Sequence, residues 1–156
     1  MALSDTYIDL PRETVWQALA DGRRYAEWVV GTREICSVDA GWPRVGSRLH
    51  FIVGYGPLKL SDRTVVRVSE APERLELEVK AGPFGTVRVA IRLIEWGEGT
   101  VVILDEHPLR GVGAGLHGPP SEIFLQLRNR LMLRNLTTVS HEVARQAPRP
   151  TPELSA

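Results

Sequence analysis

Residues 119–144 read PPSEIFLQLRNRLMLRNLTTVSHEVA, and this stretch decides the fold. After Pro119 and Pro120 it holds no glycine or proline. Apolar side chains recur at Leu125, Met132, Leu136, Val139 and Val143, and again at Ile123, Leu127 and Leu131. Spacings of three, four and seven put them on one broad apolar face of a long helix. The two prolines stand where a helix begins and their missing N–H groups do no harm. At 1.5 Å per residue the helix spans roughly 39 Å, enough to cross a whole small sheet. Pro148 and Pro150 end it, so residues 1–146 are expected to form one domain and 147–156 a flexible tail.

Upstream, between Ser47 and His107, the apolar period drops to two. Leu49, Phe51, Val53 and Tyr55 alternate with Arg48, His50, Ile52 and Gly54. Leu75, Leu77 and Val79 alternate with Glu76, Glu78 and Lys80, and Val87, Val89, Ile91 and Leu93 do the same further on. Each run is a strand with one dry face and one wetter face. Turn residues at 54–57, 71–73, 82–85 and 97–99 separate five strands near 47–54, 58–69, 74–81, 86–95 and 100–107. Connections this short require an antiparallel meander.

The front of the chain adds a strand near Leu3–Asp9 and a short helix from Pro11 to Ala20, with Leu10 a poor cap. Asp21-Gly22 stops that helix, Tyr25 and Trp28 share a face of a second short one, and Arg33–Val38 is a further strand. The class is α+β: a curved antiparallel sheet of six to seven strands wrapped around the C-terminal helix, with two short helices after the first strand. A helix about 10–12 Å across cannot fill the concavity of a wide curved sheet, so a hollow is expected beneath it. Apolar hollows with a few polar groups are where small molecules bind.

Composition sets the outer limits. With 156 residues, 43% hydrophobic and 24% charged, the chain is long enough to bury roughly 68–70% of its unfolded surface without staples. Nineteen basic side chains balance nineteen acidic ones, which argues against a broad nucleic-acid surface. Cys36, the single cysteine, excludes an internal disulfide and a cysteine-based zinc site. No apolar run reaches 18 residues, and the start MALSDT lacks the pattern of a secretory signal. The expectation is a cytoplasmic domain, monomer or homodimer, with no membrane span, cofactor or metal.

The segments Pro11-Arg12-Glu13-Thr14-Val15-Trp16 followed by Trp28, Trp42-Pro43-Arg44-Val45-Gly46-Ser47, Gly99-Thr100-Val101-Val102 and Arg128-Asn129-Arg130-Leu131 carry a resemblance. Over about residues 3–144 the chain resembles the START/SRPBCC helix-grip superfamily, which includes polyketide cyclase/dehydrase-like, lipid-transfer and pollen-allergen-like proteins. The resemblance implies a hydrophobic pocket between sheet and long helix. It does not choose among carriers, cyclases, hydrolases and receptors.

Within such a pocket the candidate polar cluster is Glu106 paired with Arg128, beside Asn129, orienting a ligand carbonyl or phenol. A buried carboxylate calls for such a partner. Val101 through Leu104 is apolar on both faces, so alternation leaves open whether Glu106 or His107 points inward. Asp62 is a second inward carboxylate if its face carries Leu60, Thr64, Val66 and Val68 inside. Trp28, Phe51, Tyr55 and Met132 are candidate lining residues, with core packing the plainer role for each, as it is for Trp16 and Cys36. His50, His107, His117 and His141 lack partners at metal-ligand spacing. Gly113, Gly115 and Gly118 spell G-x-G-x-x-G, but no later strand follows to complete a dinucleotide site, so a flap beside the pocket mouth is the better reading. The function expected first is binding of a small lipid-like or aromatic, polyketide-like molecule. The alternative is a cyclase/dehydrase-type enzyme using the same pocket, with Glu106 or His107 as acid/base and Arg128 stabilising an enolate. A partner-binding role through the sheet edge or pocket rim is a third class.

Overall fold

The computed structural model describes residues 2–80, 85–110 and 119–146. The chain runs β1 (Ala2–Ile8), α1 (Arg12–Ala20), a single 3₁₀ turn (Gly22–Arg24), α2 (Tyr25–Trp28), β2 (Thr32–Val38), β3 (Arg48–Tyr55), β4 (Leu58–Glu70), β5 (Arg74–Lys80), β6 (Thr86–Trp96), β7 (Gly99–Arg110) and α3 (Pro119–Gln146). All seven strands join one antiparallel sheet in the order β1-β7-β6-β5-β4-β3-β2. The meander from β3 to β7 follows from its short turns, β2 joins β3 after a longer connection, and β1 closes the far edge against β7.

Residues directly opposite one another share a face of the sheet. Leu49 faces Thr64, Thr64 faces Val79, Val79 faces Val87, Leu77 faces Val89 and Ile91 faces Leu104. This face is the dry one: Leu49, Thr64, Val66, Leu75, Leu77, Val89, Ile91, Leu93, Val102 and Leu104 are buried. Helix α3 lies across it and packs on β1 and β7, with α1 and α2 alongside. Met132, Leu133, Leu136 and Val139 supply its buried side. At 28 residues α3 spans about 42 Å.

Local chemistry explains the junctions. Pro11 is the N-cap of α1 rather than its first helical residue, and no side chain caps it. The Leu10 carbonyl before it is tied down by Thr100 Oγ1 at 2.8 Å, so β7 does the anchoring. Gly22 is buried against Val38 and Trp42, where a Cβ would stand 2.6 Å from Val38 Cγ1 and 3.2 Å from Trp42 Cδ1, so glycine is needed there. Two expectations are corrected. Cys36 is exposed, not a core residue. Register shifts on either side of Ile35 break the alternation of β2, turning Ile35 toward the core and Cys36 out. The second helical stripe is likewise uncovered: Ile123, Leu127 and Leu131 are 58%, 55% and 47% exposed. The glycine-rich stretch 111–118, the turn residues 81–84 and the tail 147–156 lie outside the described residues.

Candidate functional site

Burial along the concave face is graded. At the end carrying α1 and the C-terminal half of α3, inward side chains are sealed. At the other end, where β3 finishes, β4 begins and α3 starts, Val53, Asp62, Val79, Val87 and Leu125 are only half-buried. On β4 the inward row continues to Leu60 and Leu58, which are 39% and 68% exposed. The inward side chains are therefore least covered at this end.

One turn inside it sits the charged pair. Glu106 lies opposite Val89, on the concave face, and is 2% exposed. Arg128 on α3 donates from Nη1 to Glu106 Oε1 and from Nη2 to the Val30 carbonyl at 3.3 Å. The guanidinium thus ties α3 to both β7 and the segment after α2. The other carboxylate oxygen, Glu106 Oε2, is buried with no hydrogen-bond partner among the described residues. An acceptor left unmet in the interior costs about 1–3 kcal/mol, so it marks a place where a donor belongs.

Beside the pair, α2 contributes Tyr25. Its hydroxyl and Thr64 Oγ1 are 2.8 Å apart, either able to donate. Burial pushes the Tyr25 phenol up to about 12, against the lowering effects of the Thr64 hydrogen bond and the Arg128 charge, while Glu106 adds to the rise. The phenol therefore stays protonated through the neutral range. Its ring sits edge-on to Trp28 at 5.5 Å and to Trp42 at 6.5 Å, and tilted against Phe51 at 5.8 Å. These contacts fix the ring and hence the hydroxyl.

A family model described as polyketide cyclase / dehydrase and lipid transport matches residues 4–140. The chain belongs to this family. Among curated proteins none matches it in sequence. Protein NE0264 from Nitrosomonas europaea is similar in structure with a TM-score of 0.71 at 18% identity, over 92% of this chain and 95% of that one. Protein SA2116 from Staphylococcus aureus gives 0.68 at 11% identity, over 93% and 96%. DynU16, a putative protein in the dynemicin biosynthetic locus, gives 0.62 at 19% identity, over 88% of this chain and 45% of that longer one. At these identities the solved structures establish the helix-grip fold.

Within this polyketide cyclase/dehydrase and lipid transport fold, the site residues expected from sequence divide cleanly. Glu106, Arg128, Asn129 and Met132 come together on the inner side of β7 and α3, and Trp28 and Phe51 are buried beside them around Tyr25. Asp62 faces the concavity opposite Phe51, nearer the open end. His107 is exposed on the convex side, opposite Arg88, so Glu106 is the inward member of the two. The side chain of Tyr55 lies outside the described part of β3. Tyr25 is the polar residue that sequence reasoning passed over. Its spacing of three from Trp28 was the available signal, because both then point off one face of α2 toward the sheet.

A depression of about 730 Å³ also lies on the convex face. Its walls are charges that mostly satisfy one another: Glu76 binds Arg74 at 2.7 Å and Arg88 at 2.9 Å, and Arg12 reaches Glu73 at 3.5 Å. Among the described residues no helix is long and apolar enough to cross a membrane.

Proposed function

We propose that the chain binds a small hydrophobic molecule, lipid-like or aromatic and polyketide-like, between the concave sheet and the N-terminal half of α3. The observation that carries this reading is the buried Glu106 Oε2, without a partner among the described residues, beside the end where inward side chains are least covered. A buried ion pair is a poor stabiliser, since well-packed apolar side chains of the same volume do as well or better. Keeping one there, with an open acceptor, is what a binding site needs: an apolar wall and a few fixed polar groups. The family description, which joins polyketide cyclases with lipid transport, supports the same class of occupant.

The same oxygen also suits a cyclase/dehydrase reaction. Glu106 would take a proton and so release Arg128 from its counter-charge, leaving the guanidinium to stabilise the enolate, and Glu106→Gln would then abolish turnover while the ligand is still held. Native mass spectrometry of the protein isolated from its own host tests the binding reading. The expected spectrum shows the 17.3 kDa chain plus one small apolar molecule that is released on denaturation. Only the bare chain, with no hydrophobic molecule in the organic extract, would overturn it.

A further inference from the structure

On the concave face Glu106 is met by Arg128 from α3. The Arg128 guanidinium is already divided between Glu106 Oε1 and the Val30 carbonyl. With that guanidinium engaged, a ligand anion at Glu106 would set two like charges side by side in a low-dielectric space. The acceptor side is the reverse. Glu106 Oε2 has no partner, and a carboxylate oxygen can only accept. An ether, ester or ketone brings no hydrogen to it. A hydroxyl does, and its bond to a charged acceptor is of the stronger kind.

We infer that the site takes a neutral molecule with a hydroxyl donor, a phenol or alcohol on an apolar skeleton, in preference to a carboxylate such as a fatty acid. This rests on the binding site proposed above and adds to it the chemistry of the occupant. The hydroxyl donates to Glu106 Oε2 while the skeleton lies along Val53, Val79, Val87 and Leu125.

Three probes sharing one ring system test this at pH 7 on the full chain: 2-naphthol, 2-methoxynaphthalene and 2-naphthoate, with dissociation constants from tryptophan fluorescence. The expected result is that 2-naphthol binds about tenfold or more tightly than either of the others. Glu106→Gln removes the open anionic oxygen and leaves Arg128 without its counter-charge, so it should erase the advantage of 2-naphthol and strengthen binding of 2-naphthoate. Should that variant fail to fold, the three affinities of the unaltered chain decide the matter. Equal affinity for the hydroxyl and methoxy probes, or tighter binding of 2-naphthoate by the unaltered chain, overturns the choice of occupant and leaves the site standing. Binding of none of the three removes both.

Discussion

The Tyr25 hydroxyl is fully buried, bonded to Thr64 across 39 residues of sequence. Its phenol ionises near 10 when unfolded and at about 12 in the folded chain. Between those values the unfolded state gives up its proton first. The contribution of Tyr25 to stability is therefore fully present below pH 10 and fades as pH rises to 12, by about 3 kcal/mol in total. Tyr25→Phe removes the hydrogen bond, at about 1 kcal/mol near pH 8. It also removes the titration, so as pH rises above 10 the gap between their urea midpoints should close and then reverse, the unaltered chain becoming the less stable of the two. A gap that stays constant there would contradict the buried phenol. Neither Tyr25 nor the choice between Glu106 and His107 was legible from alternation. Val101 through Leu104 is apolar throughout, and even the outward Val101 and Ile103 are half-buried among their neighbours on the convex face. Only the register, Glu106 against Val89, decides which way the carboxylate points.

At the scale of elements, α3 shows what periodicity reads well and what it misses. The helix and both of its apolar stripes are plain in the sequence. Which stripe is covered is not, because a single helix meets a sheet along one side only. Met132, Leu136 and Val139 occupy that side, whereas Ile123, Leu127 and Leu131 stand outside it. Leu136→Ala should cost about 2–5 kcal/mol, as a core leucine does, and Leu127→Ala less than about 0.5. Denaturant unfolding of the two variants checks this, and comparable losses would mean that the outer stripe is buried. Strand β2 is the complementary case: its edges were found, but the register shifts around Ile35 put Cys36 outside, against simple alternation.

The whole molecule was the most legible level. Period-two runs joined by short turns leave no arrangement except a meander, and the one long amphipathic helix must cover its dry face. What the sequence could not carry is the uneven covering of the concave face, because that depends on where the tips of β3, β4 and β6 lie relative to the start of α3. The central claim is that a ligand lies between α3 and this less covered end of the sheet. A crystal structure of the chain with 2-naphthol tests it most directly. The expected result places the ring between α3 and the concave face, near Val79 and Leu125, with its hydroxyl on Glu106 Oε2. A ring seated on the exposed Ile123, Leu127 and Leu131 stripe or in the convex depression, with the inner end closed by side chains, would contradict it.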